Sequence, residues 1–360
     1  MTTKNALSWS MVVATYRREK ILPIALDFAV RQTRPPKEIV VVDASESWQA
    51  TRDLILSTIA AEHPEIRWVY VEAESRSLTL QRNQGIPLAT SDVLFLIDDD
   101  SMMYPDCAER IMEVYEADRD HRIMGVQSNF VDQLPPQSGS IEDSRQKVGI
   151  SETLLAPSGR KFLWKHRFFR RLLIMDTKEH FIPYEGYFRD YPLPDAVGEL
   201  NVVPVRIFDG FRMTYRREVF AKEVFEPLFL YYAVAEDSDL SYRASRHGAL
   251  ALAVDARLHH YQSGSGRLSM VQVSALAGLN MALCLRKHSS DLRRDRPRFY
   301  GSILHRMFAQ SIRDLTNRRW SLPRMRGLLL ALRYAPKLFA MSDRDLTEWY
   351  PNLQRKLIRA

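Results

Sequence analysis

The first 130 residues alternate between two apolar patterns. Short, nearly continuous runs recur: Ser10-Met-Val-Val-Ala-Thr15, Glu38-Ile-Val-Val-Val-Asp43, Ile66-Arg-Trp-Val-Tyr-Val71 and Val93-Leu-Phe-Leu-Ile97. Runs of this kind predict strands, the second of them buried on both faces. Between them, Glu19 to Gln32 places Ile21, Ile24, Ala25, Phe28 and Ala29 on one helical face, and Pro35-Pro36 ends it. Trp48 to Ala61, Leu78 to Pro87 and Asp106 to Asp118 read as further helices. Strand–helix alternation predicts an α/β fold, a mostly parallel sheet flanked by helices. Ligands of such sheets bind outside the carboxyl ends of the strands. Asp43 and Asp98-Asp99-Asp100 stand at two of those ends.

The alternation stops at residues 132–204. Leu134 to Ser140 reads as a loop, Lys161 to Ile174 is basic and aromatic, and Tyr184 to Pro204 is rich in Pro, Tyr and acids. Order returns at Phe211 to Arg217, at the helical Ser238 to His247 and at the strand Leu250 to Val254. The rest reads as helical. Its longest uncharged run, Leu268 to Leu285, contains Ser, Gln, Asn and Gly, which predicts a buried helix rather than a membrane span. The expected organisation is a first part at 1–131, a second at 132–266 with an insertion at 132–204, and 267–360 as a basic, mainly α-helical region.

Composition sharpens this division. The formal net charge of +7 is uneven: residues 1–130 hold 14 Lys+Arg and 20 Asp+Glu, 131–266 hold 18 and 18, and 267–360 hold 19 and 6. All the positive excess lies in the last segment, unlike a uniformly basic nucleic-acid binder. The two cysteines, Cys107 and Cys284, form no CxxC or Cys/His cluster, which excludes a disulfide scaffold or zinc module. The N-terminal sequence lacks a signal-peptide pattern, so the expectation is a cytoplasmic protein without a transmembrane helix.

Three consecutive aspartates after an apolar strand repel one another unless a cation joins them. Hard oxygen ligands suit Mg²⁺ or Mn²⁺. In an extended segment Asp98 and Asp100 face one way and Asp99 the other. A solvated acidic turn is the plainer alternative. Asp43 suits a ribose or base edge, or else a helix N-cap. Glu236-Asp237-Ser-Asp239 puts three acids in four residues at a helix start, more than capping needs, so one could serve as a general base. His259-His260 offers a third metal ligand, or a satisfied core imidazole.

Six segments, in order, resemble the family 2 glycosyltransferases, inverting enzymes of the GT-A (Rossmann-like) fold that use nucleotide sugars. They are Val13 to Arg17, Val41 to Asp43, Gln81-Arg-Asn-Gln-Gly85 (similar to an ARN-x-G helix), Asp98 to Asp100 (similar to DxD), Gly210 to Arg217, and Glu236-Asp-Ser-Asp-Leu-Ser-Tyr-Arg243 (similar to ED-x-D-L-x-x-R). The resemblance implies that Asp43 contacts the nucleoside, UDP being favoured, and that Thr15, Tyr16 and Arg17 line the base pocket. It implies that Arg82 approaches the diphosphate or the acidic strand ends, that Asp98 and Asp99 belong to the nucleotide-sugar site, and that Asp98, Asp100 and His260 hold Mg²⁺ or Mn²⁺. Asp237 would be the base, with Glu236, Asp239 and His259 in support.

The QxxRW element of processive synthases is absent, which implies transfer of single sugars. The implied acceptor is a cell-surface glycan or a polyprenyl-diphosphate-linked precursor in polysaccharide assembly at the cell envelope. The basic stretches 161–174 and 267–360 suggest peripheral contact with the inner face of the membrane. No base-stacking module for nucleic acid is visible. The rival readings are a nucleotidyltransferase, whose Gly-rich phosphate loop is missing, and a non-catalytic membrane- or glycan-binding scaffold.

Overall fold

The computed structural model describes residues 6–136, 181–262 and 268–359. The basic-aromatic run Lys161 to Ile174 and part of the loop at 134–140 lie outside them. The described residues form two units, one holding 6–136, 189–231 and 236–262, the other 181–188, 232–235 and 268–359.

The first unit is built on a nine-stranded mixed sheet. Its strands are β1 (Trp9–Thr15), β2 (Glu38–Asp43), β3 (Arg67–Glu72), β4 (Val93–Ile97), β5 (Ser101–Met103), β6 (Ile123–Phe130), β7 (Val202–Val205), β8 (Arg212–Arg216) and β9 (Ala249–His260). The order is β3-β2-β1-β4-β8-β6-β9-β5, with β7 also pairing β9. The first four strands are parallel to one another. Beyond β4 the sheet is mixed: β8 is antiparallel to β4 and β6, β6 is parallel to β9, and β5 and β7 are antiparallel to β9.

Successive residues feed opposite faces, as the twofold repeat of a strand requires. Met11, Val13, Ile39, Val41, Phe95 and Ile97 pack into one core, whereas Val12, Val40, Val42, Leu94 and Leu96 pack into another. Helices α1 (Leu22–Val30), α2 (Trp48–Ser57), α3 (Ile59–Glu62), α4 (Leu78–Gly85) and α5 (Cys107–Ala117) connect the strands, and α6 (Glu236–Ala244) precedes β9. Strand β9 runs six residues past the expected Val254, because Asp255 and Arg257 are exposed while Ala256 and Leu258 alternate into the core. That extension carries His259 and His260 to the sheet end where Asp98–Asp100 lie.

The second unit contains α7 (Met270–His288), α8 (Leu292–Thr316), α9 (Pro323–Ala340) and α10 (Asp343–Arg359). The uncharged run forms most of α7, with Ala275, Leu276, Leu279 and Ala282 to Leu285 buried. No described helix is long and apolar enough to cross a membrane. Helices α7 and α9 approach so closely that a Cβ on Gly327 would stand 2.3 Å from the Val271 carbonyl oxygen. Gly327→Ala should therefore destabilise this unit by about 1–3 kcal/mol, as overpacking does. Chemical denaturation of the full chain followed by circular dichroism checks it.

Candidate active site

Parallel strands β2, β1 and β4 end side by side, with β2 and β4 flanking β1. Their carboxyl ends bear Asp43, Thr15 and the aspartate triplet. The aspartates divide as an extended chain requires. Asp98 and Asp100 join His260, one ligand atom of each lying within 4.8 Å of the others, in a group that could hold a metal ion. Asp99 turns away: its Oδ2 accepts from Thr15 Oγ1 at 2.6 Å and its Oδ1 lies 3.8 Å from Arg18. Burial and the neighbouring Asp100 push the Asp99 carboxyl up to about 8.

The two histidines separate for the same reason. In the β5–β9 ladder His260 stands opposite Ser101 and His259 opposite Met102. The His260 ring stacks on Phe211 at 4.4 Å, and its Nε2 meets Asp100 Oδ1 at 3.0 Å. The His259 ring stacks on Phe130, and its Nδ1 bonds the Val131 carbonyl oxygen at 3.0 Å. His260 therefore joins the aspartates and His259 does not. Two carboxylates and an imidazole form a mixed oxygen–nitrogen donor set suited to a divalent cation such as Mg²⁺ or Mn²⁺.

The second acidic cluster reaches this group through Arg82 of α4. Arg82 is buried and donates to Asp98 Oδ1 at 2.9 Å, Glu236 Oε1 at 3.0 Å and the Gly210 carbonyl oxygen at 2.8 Å. Asp237 Oδ2 accepts from the Gly210 N–H at 3.0 Å, and its Oδ1 accepts from the Ser238 N–H at 2.6 Å. Burial raises the Asp237 carboxyl above its ordinary value, while these N–H bonds oppose the rise. Burial raises Asp98 too, with Arg82 opposing and Asp100 adding to the shift. Burial and Asp237 hold Glu236 at about 8. Asp239, by contrast, pairs with Arg243 at 2.7 Å on its own helix.

On the β2 side, Asp43 is buried. Its Oδ1 accepts from the Ser45 N–H at 2.8 Å and its Oδ2 from Tyr70 OH at 2.5 Å. Tyr70 is half-buried and stacks beside Trp48. Asp43 makes a local turn rather than capping α2, whose N-cap residue is Ser47. Tyr16 lies between two guanidinium groups, Arg76 at 3.7 Å and Arg17 at 5.1 Å from its ring centre. Arg17, in left-handed backbone geometry, is exposed and paired with Glu46 at 2.7 Å.

Three contributors carried no assigned role in the sequence. Gln81 donates to the carbonyl oxygens of Thr15 and Val42, each at 2.8 Å, and ties β1 to β2. Tyr70 closes on Asp43. Gly210 binds both Arg82 and Asp237, and a Cβ there would lie 2.6 Å from Glu236 Oε1. Gln81 and Gly210 stood within quoted segments, but only their partners reveal what they do. A separate cavity of about 520 Å³, lined by Arg189, Tyr191 and Arg206, sits beside Ala249 and Leu250, at the other end of β9 from His260.

The mixed α/β sheet, with aspartates at the ends of its parallel strands, has the GT-A fold. Residues 10–183 match the family described as Glycosyl transferase family 2. The chain is similar to the uncharacterized glycosyltransferase YwdF of Bacillus subtilis, with 33% identity over 109 residues, 30% of this chain and 38% of that protein. It is also similar to the glucosyl-dolichyl phosphate glucuronosyltransferase of Haloferax volcanii, with 28% identity over 120 residues, 32% of this chain and 36% of that protein. The chain thus spans little more than a third of the length of these curated relatives. Among solved structures it is similar in fold to the mannosyltransferase PcManGT from Pyrobaculum calidifontis in complex with GDP-Man and Mn²⁺. That similarity has a TM-score of 0.51 and 16% identity, covering 98% of this chain and 85% of the other.

Proposed function

We propose that the chain is a metal-assisted, inverting, non-processive glycosyltransferase. It moves one sugar from a nucleoside-diphosphate sugar to a hydroxyl of a cell-surface glycan or lipid-linked precursor. The observation that carries this reading is the meeting, through Arg82, of two acidic clusters about 140 residues apart in the chain, one suited to a cation and one to a base. The GDP-Man and Mn²⁺ held by the structural neighbour support the donor and metal classes. The dolichyl phosphate in the name of the Haloferax relative supports a lipid-linked acceptor.

Asp98, Asp100 and His260 would hold Mg²⁺ or Mn²⁺, which when bound supplies charge neutralisation to the departing diphosphate. Thr15, Tyr16 and Arg17 at the end of β1, with Asp43 and Asp99, shape the nucleotide side. Asp237 takes the proton of the acceptor hydroxyl as its oxygen bonds to the anomeric carbon. The bond from that carbon to the diphosphate breaks on the opposite face, so configuration inverts. Glu236 holds Arg82 against Asp98 and keeps the strand end and the base segment in register.

The test incubates purified protein with UDP-, GDP- and dTDP-sugars, with and without Mn²⁺, measuring binding by calorimetry and release of nucleoside diphosphate. Mn²⁺-dependent binding and turnover of one donor is expected; neither binding nor turnover with any of them would refute the proposal. His260→Ala should weaken Mn²⁺ at least about tenfold, since loss of even a ligand's outer partner costs 10–100-fold. His259→Ala should leave that affinity unchanged. Titration with Mn²⁺ followed by electron paramagnetic resonance compares the two.

A further inference from the structure

We propose that the outer face of α8, continued through Trp320, is a docking surface for an anionic lipid bilayer. Leu304, Phe308 and Leu315 are spaced by four and seven residues, so they share one side of the helix. They are 59%, 55% and 43% exposed, and Trp320 just past the helix is 74% exposed. Three large apolar side chains thus face outward along a helix of 25 residues, about 37 Å long, and a fourth stands just past its end.

The charge around this stripe selects its occupant. Residues 292–322 hold eight arginines and two acids, Asp295 and Asp314. Both acids are fully buried and turned inward, Asp295 paired with Arg294 at 2.7 Å and Asp314 with Arg324 at 2.5 Å. Arg293, Arg296 and Arg318 are exposed, and exposed Arg298 reaches the inward-turned Asp295 at 3.4 Å. An apolar stripe with an aromatic end and an arginine border matches the acyl boundary and headgroups of an anionic leaflet. A second copy of the chain fits poorly, because a twofold pairing would set arginine rims against each other. The helix would lie along the bilayer, since none of those described is apolar enough to cross it.

The experiment is flotation of the full chain with vesicles of phosphatidylcholine alone and with equal parts of phosphatidylglycerol. Binding to the anionic vesicles is expected, falling steeply with salt. Phe308→Ser combined with Trp320→Ser should lower partitioning at least about tenfold. Arg293→Gln combined with Arg318→Gln should erase the preference for phosphatidylglycerol. Circular dichroism melts establish that both variants fold. Absence of wild-type binding, or equal binding by folded Phe308→Ser/Trp320→Ser protein, would overturn the proposal. A solution dimer dispersed by the same pair would also overturn it, in favour of a second copy. Flotation needs no turnover, so this result stands apart from the fate of the transferase reading.

Discussion

Asp237→Asn should lower kcat by about 10²–10⁴-fold, the usual contribution of a general base. The amide keeps the size and shape of the carboxylate but cannot take the acceptor proton. Donor binding should survive, because the cation group consists of Asp98, Asp100 and His260. Calorimetry with the donor and steady-state kinetics separate the two effects. A parallel loss of donor affinity would mean that Asp237 belongs to the donor site instead. The pH dependence follows in sign. Burial raises the Asp237 carboxyl, with the Ser238 and Gly210 N–H groups restraining the rise. The base acts when ionised, so the acid limb of the wild-type rate should lie above the pH at which an ordinary aspartate titrates, and Asp237→Asn should remove it.

Arg82→Met should cost about 3–5 kcal/mol of stability, the range for breaking a buried ion pair by removing one partner. The wild-type guanidinium is 2% exposed and lies between Asp98 and Glu236. Its loss leaves those carboxylates and Asp237 facing one another without a counter-charge, and the Gly210 carbonyl oxygen loses its donor. Part of the repulsion can be relieved by protonation of Glu236, which burial and Asp237 already hold at about 8. Part can be relieved by a divalent cation. Thermal melts should show a lower midpoint for Arg82→Met and a larger stabilisation by Mn²⁺ than in the wild type. A melt unchanged from wild type would show that Arg82 is not the clamp between the clusters.

Within the parallel half of the sheet, β1, β2 and β4 were legible because both their faces are buried, so they read as apolar runs whatever they pair with, whereas the edge strand β3 is only partly buried and was legible from its β-branched and aromatic residues. The aspartates at the end of β4 were legible for a related reason: such a strand, buried on both faces, ends abruptly in charge. Strands β5 and β7 were not legible. Ser101–Met103 is three residues long, Val202–Val205 contains Pro204, and both exist as strands through pairing with β9. Strand formation depends on such partners more than on local preference. The end of β9 was missed because Asp255 and Arg257 interrupt its apolar run while its backbone continues.

The sequence by itself determined the strand–helix order from β1 to β4, the acidic strand ends and the basic helical C-terminal region, because periodicity and charge are local properties. Only the tertiary structure decided which acids and which histidine share a site. Adjacent strand residues face opposite ways, so the register of β9 against β5 brings His260 to Asp100 and sends His259 to Val131. The bridge from Asp98 to Glu236 spans 138 residues of chain and exists because one buried arginine on α4 reaches both.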